Sequence, residues 1–245
     1  MIEVLEYHKT YDDVVAVSGL TFTVPPGAVM GMVGPNGAGK TTTLRAIAGI
    51  IPPTRGQLRI AGHDVVRQPE PAKQTLAYIP DEPRLFDSLT VWEHLQFVAS
   101  TYRVDPFEEQ ANQLLEQFQL TEKRDALCSE LSRGMRQKVA ICCGYLHEPK
   151  AILFDEPHTG LDPFAIRRMT ESVQERANAG AAVIVSSHLL SLVEDMCTHL
   201  LILSKGHALF CGSLEQAREQ YPSLGDETSL EEIFFKAQSA TEARH

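Results

Sequence analysis

No stretch of this 245-residue sequence approaches the roughly 18 consecutive apolar residues of a membrane-crossing helix. The opening MIEVLEYHKTYDD has neither the basic start nor the apolar run of a secretory signal. Both absences predict a chain that stays in the cytoplasm unless a partner carries it to a membrane surface. Positive charge is also short: 22 Lys and Arg face 32 Asp and Glu, a formal net charge of −10. Nucleic-acid binding is dominated by phosphate neutralisation, so no nucleic-acid partner is expected. Of the five cysteines, Cys128, Cys142, Cys143, Cys197 and Cys211, no two are spaced as CxxC. Most lie in apolar stretches such as ICCGYL, which favours buried free thiols over disulfides or metal ligands. Internal repeats and low-complexity segments are missing too.

What is present is an ordinary globular composition, 43% apolar and 22% charged. IEVLEY, LTFTV, VMGMV and QLRIAG read as short strands broken by Gly and Pro turns. From Leu89 to Gln119 the pattern is helical. Thr90 with Glu93 forms one capping signature, and Asp105, Pro106 and Glu108 form a second. AILF, AAVIVSS, HLLILS and HALFCG return as apolar strands with helical segments between them, which predicts an α/β fold with a mostly parallel sheet covered on both faces. A helical block interrupts this core over roughly 84–150. The tail AQSATEARH is expected to fray.

The strongest chemical signal is VMGMVGPNGAGKTTTLRAIAG. Gly34, Gly39, Lys40 and Thr41 supply G-x-x-x-x-G-K-T between a strand and a helix. Glycines let backbone amides curl around phosphate oxygens, and the helix start adds favourable dipole charge. Lys40 can reach the β- and γ-phosphates, and the Thr41 hydroxyl can ligate Mg2+. The chain is expected to bind a nucleoside triphosphate.

A second signal is AILFDEP, a strand ending in two acids. Ligands in open α/β sheets sit beyond the strands' carboxyl ends, which brings Asp155 and Glu156 toward the phosphate loop. Asp155 is the expected Mg2+ group, direct or through water, and Glu156 can orient or deprotonate an attacking water. AAVIVSSH places His188 at another strand end, where a neutral imidazole could touch a γ-phosphate or its water. Asp162, before Pro163, reads as a helix cap.

A third is YIPDEP, with Asp81 and Glu82 held between two prolines. Taken alone it is a solvated turn.

Together these motifs resemble the nucleotide-binding domain of ABC transporters, over about residues 2–236. Gly34, Pro35, Asn36, Gly37, Ala38, Gly39, Lys40, Thr41 and Thr42 match the Walker A loop. AILFDE resembles the Walker B strand, 160–163 the D-loop, His188 the switch histidine, and LSRGMRQK the LSGGQ signature. The resemblance implies a P-loop NTPase core with an N-terminal antiparallel β subdomain (1–83 with 151–220 as the nucleotide-binding core). It also implies a helical subdomain carrying the signature (84–150) and a C-terminal extension (221–245). It further implies ATP and Mg2+ as ligands, with Tyr11 stacking on adenine. Ser132 and Gly134 would meet the γ-phosphate held by a second ATP-binding subunit, in a homodimer by default. A separate transmembrane permease would hold the chain at the cytoplasmic face of the membrane.

Three features depart from that pattern. Arg133 and Met135 replace a Gly-type position and the Gln of LSGGQ; Met135 followed by Arg136 and Gln137, and the ending GSLEQAREQYPSL…SLEEIFFKAQ, are similar to subunits serving ABC-2 type exporters. His158 stands where Thr or Ser is usual, with packing as its default role. Asp81 occupies the Q-loop glutamine position and could ligate Mg2+, with Glu82 as the alternative inward residue. A soluble ABC ATPase without transport and a low-turnover regulatory subunit remain the competing readings.

Overall fold

A computed structural model describes residues 1–222 and 229–242. Strands β1 (Ile2–Tyr11) and β2 (Val14–Val24) form an antiparallel hairpin in which Ile2, Val4, Leu20 and Phe22 are buried. The fully buried β3 (Val29–Val33) leads through the glycine loop into α1 (Lys40–Ile47). Strands β4 (Arg55–Ile60) and β5 (His63–Asp64) complete a four-stranded sheet in the order β2-β1-β4-β5. Next come a short helix α2 (Pro69–Gln74), which no periodicity announced, and β6 (Leu76–Ile79).

The helical block follows as α3 (Val91–Tyr102), α4 (Glu108–Gln117) and α5 (Arg133–Tyr145). Thr90 caps α3 as expected: its hydroxyl accepts from the Glu93 amide at 3.2 Å, and Glu93 accepts from the Thr90 amide at 2.8 Å. The second signature is a correction. Asp105 caps nothing; Phe107 holds the N-cap position of α4, and Glu108 accepts from the Phe107 amide at 3.1 Å. Phe107 packs against Trp92, ring centroids 5.3 Å apart, and that burial fixes where the chain enters the helix.

The remaining elements alternate: β7 (Ala151–Asp155), α6 (Pro163–Asn178), β8 (Ala182–Ser187), α7 (Leu190–Met196), β9 (His199–Ser204), β10 (His207–Ser213), α8 (Leu214–Gln220) and α9 (Leu230–Glu242). They complete a six-stranded sheet ordered β10-β9-β3-β8-β7-β6, parallel except for the β9–β10 pair. Residues 237–242 belong to α9, and 243–245 lie outside the described residues, as do 223–228 of the predicted extension.

Successive side chains of a strand point to opposite faces, and here each face has its own core. Ile152 and Phe154 of β7 and Val183 and Val185 of β8 join the helical block and α6. Ala151, Leu153, Ala182 and Ile184 face α1 and the antiparallel sheet. This two-sided burial explains the near-continuous apolar runs of the central strands. It also leaves β3, β7 and β8 ending side by side, and their carboxyl ends carry the loops with the chemistry. Cys128, Cys142 and Cys197 are buried, Cys143 half-buried and Cys211 exposed, all as free thiols.

Candidate functional site

The glycine loop is shaped by positions where a side chain has no room. A Cβ on Gly34 would strike the Leu203 carbonyl, and one on Gly39 (φ 102°) would lie 2.9 Å from the Ala16 carbonyl oxygen. Pro35, Asn36 and Gly37 form the exposed rim and Ala38 is buried. The Ala38 amide donates to Pro35 O (3.1 Å) and the Thr43 amide to Gly39 O (2.9 Å). Between them the amides of Gly39, Lys40, Thr41 and Thr42 have no acceptor among the described residues. Such a row of donors at a helix start fits a phosphate group. The Lys40 ammonium is buried over the loop, 2.7 Å from Gly34 O and 3.5 Å from Glu156 Oε1.

Asp155, at the end of β7, is 3% exposed and accepts three hydrogen bonds. They come from Thr41 Oγ1 (3.0 Å), Ser186 Oγ (2.9 Å) and Tyr78 Oη (3.2 Å). Burial first, and the Asp155 charge second, push the Tyr78 phenol up to about 12, so it stays a donor. A hydroxyl and a carboxylate beside a phosphate loop are the hard oxygen set that Mg2+ takes, with phosphate and water oxygens completing its shell. Ser186 and Tyr78 escaped the sequence reading. The polar end of AAVIVSSH was the signal for Ser186; nothing in the sequence pointed Tyr78 at Asp155.

Glu156 turns out of the strand with φ 49°, a left-handed conformation uncommon for a residue with a side chain. Its amide is held by Ser186 Oγ at 3.0 Å. Its Oε2 lies 2.8 Å from His188 Nδ1 and accepts from the His188 amide at 3.3 Å. The two strand-end motifs, 32 residues apart, thus meet in one carboxylate–imidazole pair. His158 joins them. It is buried, its Nε2 is 3.7 Å from Glu156 Oε2, and its ring centroid is 5.0 Å from that of His188. Burial lowers its pKa, with Glu156 opposing. Packing is therefore not its whole surroundings.

The signature segment lies on the helical block. Ser132 caps α5, accepting from the Met135 amide at 3.3 Å. A Cβ on Gly134 would come 2.5 Å from the Gly160 carbonyl oxygen, so these two glycines let the α5 start press on the loop after Glu156. Neither Ser132 nor Gly134 hydrogen-bonds to the phosphate loop of its own chain among the described residues. Asp162 caps α6 through the Ala165 amide at 2.9 Å. Tyr11 is 45% exposed at the end of β1, with Lys9 Nζ 4.8 Å from its ring centroid.

Asp81 is the position that differs from expectation. Its carboxylate meets Arg133 Nη2 at 3.0 Å, its one hydrogen bond among the described residues, and does not join Thr41 and Asp155. A guanidinium within the signature segment pairs with it there, which the separate motifs do not reveal. Glu82 makes no hydrogen bond or ion pair among the described residues.

A family profile described as ABC transporter matches residues 17–159. The ABC-type transporter ATP-binding protein EcsA of Bacillus subtilis (strain 168) is 36% identical over 207 residues, covering 84% of this chain and 84% of that one. The Nod factor export ATP-binding protein I of Burkholderia pseudomallei (strain 1710b) is 33% identical over 214 residues, 86% of this chain and 70% of that one. A solved structure of an ATP-binding subunit of an ABC transporter superimposes with a TM-score of 0.92 at 34% identity, covering 97% of this chain and 99% of the other.

Proposed function

This chain belongs to the ABC transporter family as an ATP-binding subunit with ATPase activity, and we propose that it powers export through a separate permease by pairing around ATP. The observation that carries this reading is the meeting of Lys40, Thr41, Asp155, Glu156 and His188 at the carboxyl ends of β3, β7 and β8. Lys40 would exchange its loop carbonyls for β- and γ-phosphate oxygens, and the free amides of residues 39–42 would hold the phosphates. Tyr11 would stack on the adenine. Thr41 and Asp155 would hold Mg2+, which when bound neutralises charge on the transferring phosphoryl group.

Glu156 would orient or deprotonate the attacking water. His188 holds the carboxylate through Oε2 and would touch the γ-phosphate or its water. Ser132 and Gly134 sit at a helix N-terminus on the helical block and, among the described residues, make no hydrogen bond to their own phosphate loop. That supports their serving the nucleotide of a second copy, with closure excluding water and hydrolysis reopening the pair.

Export is supported by the resemblance of Met135-Arg136-Gln137 and of the C-terminal ending to exporter subunits, and by the relative that is a Nod factor export ATP-binding protein. No helix among the described residues is long and apolar enough to cross a membrane, and a separate permease would supply the path. Phe86 and Phe97, 55% and 50% exposed with rings 5.5 Å apart, offer it an aromatic patch beside the Asp81 loop.

Replacing Glu156 by Gln tests the assignment. Turnover should fall by about 10²–10⁴-fold, the range for losing a general base, while ATP stays bound and a dimer accumulates on a sizing column. Multiple-turnover hydrolysis at the native rate would remove Glu156 from the mechanism. His188→Ala should likewise lose most turnover with nucleotide affinity kept.

A further inference from the structure

We propose that Glu156, His158 and His188 form a binding site for a transition-metal dication of the Zn2+ type, distinct from the Mg2+ position at Thr41 and Asp155. Each residue offers one ligand atom, and the three atoms lie within 4.8 Å of one another. Glu156 Oε2 is 2.8 Å from His188 Nδ1 and 3.7 Å from His158 Nε2. Tetrahedral Zn2+ with bonds of about 2.0–2.2 Å sets its donors roughly 3.3–3.6 Å apart, between those two spacings. The 2.8 Å spacing would open by about 0.5 Å or more and the 3.7 Å spacing would close slightly.

A second observation points the same way. His158 is 7% exposed, yet neither ring nitrogen has a hydrogen-bond partner. Buried polar atoms are normally satisfied, and a metal ion would satisfy one of these. Lys40 faces the other carboxylate oxygen, Oε1, at 3.5 Å, and leaves Oε2 to the imidazoles.

Donor chemistry separates the two metals. Mg2+ takes oxygen ligands and would stay with Thr41, Asp155 and phosphate; two imidazoles and a carboxylate select Zn2+, Co2+, Ni2+ or Cu2+. An ion there would occupy the Glu156 oxygen and the His188 nitrogen together, so micromolar transition metal would silence the ATPase with nucleotide still bound. That inhibitory consequence rests on the reading of Glu156 as the base. The binding itself does not.

Titrating the tag-free full chain with Co2+ and then Zn2+, without nucleotide, tests the site. One equivalent should bind per chain, with Co2+ showing the visible bands of a low-coordinate site and Zn2+ displacing it. His158→Ala and His158→Asn should each weaken binding by at least about 10–100-fold, whereas His199→Ala should bind as the native chain does. Circular dichroism and MgADP binding identify a variant that has merely unfolded, and the second His158 variant then decides. Unchanged affinity in a folded His158 variant overturns the site, as does binding abolished by alkylating the exposed Cys211. In turnover assays Zn2+ should inhibit the native chain at concentrations at least about 10-fold below those needed for the His158 variants. A Zn2+-loaded native chain that hydrolyses ATP at full rate overturns the inhibitory role. Stoichiometric Co2+ binding by a chain that shows no ATPase even without added metal supports the site and counts against the base assignment alone.

Discussion

Asp81 and Arg133, 52 residues apart, are joined by an ion pair of 3.0 Å between the loop after β6 and the first turn of α5. Each departs singly from the family pattern, and the fold places them against each other. The pair couples the loop nearest the core to the helix that carries the signature.

Both groups are more than two-fifths exposed, so the pair should contribute at most about 1 kcal/mol to stability. Asp81→Gln and Arg133→Ala should each shift the melting temperature by no more than ~2–4 °C. Because Arg133 already engages the carboxylate, Mg2+ titrations of ATPase activity for the native chain and Asp81→Gln should superimpose. A rightward shift in the variant would return Asp81 to the metal.

Gly134→Ala places a methyl group 2.5 Å from the Gly160 carbonyl oxygen, a backbone atom that cannot swing aside. Alanine gains roughly 1 kcal/mol over glycine in helix propensity, but overpacking costs about 1–3 kcal/mol. The clash should win or draw, lowering the melting temperature by up to ~2–8 °C and cutting turnover because residue 160 follows the catalytic strand. A calorimetric rise in stability would show that the two segments separate at little cost.

Burial holds His94, His147 and His158 below the ordinary imidazole pKa of about 6.5. As pH falls through that value the unfolded chain takes up protons that the folded chain refuses. Stability should therefore be flat above about pH 6.5 and decline below it, until the lowered folded pKa values are reached. Thermal melts between about pH 7.5 and 5.5 should show the decline. His147→Gln should reduce its slope, since that ring is stacked on Tyr102 at 3.8 Å and bonded to the Leu76 carbonyl oxygen at 3.2 Å. Equal slopes in the two proteins would assign the loss to other groups.

The aromatic pair Phe86 and Phe97 should matter to the partner and not to the fold. Phe86→Ser with Phe97→Ser should abolish co-purification of the permease while the isolated chain keeps its ATPase and its melting temperature. Retained permease capture would move the docking surface elsewhere on the helical block.

By itself the sequence determined the local chemistry. Glycines spaced around Lys40 can form one kind of loop, an apolar run ending in Asp155 and Glu156 can form one kind of strand end, and Thr90 with Glu93 announces its helix. Each of these depends on neighbours a few residues away, which is why spacing alone reveals them. Tertiary structure decided what lay between motifs. The pairing of Asp81 with Arg133, the donation of Tyr78 and Ser186 to Asp155, and the approach of Gly134 to Gly160 all join segments at least 26 residues apart. His158 shows the division most plainly. One position in a loop, it read as packing; the turn after β7 folds its imidazole back toward Glu156, and the parallel alignment of β7 and β8 brings His188 to the same carboxylate.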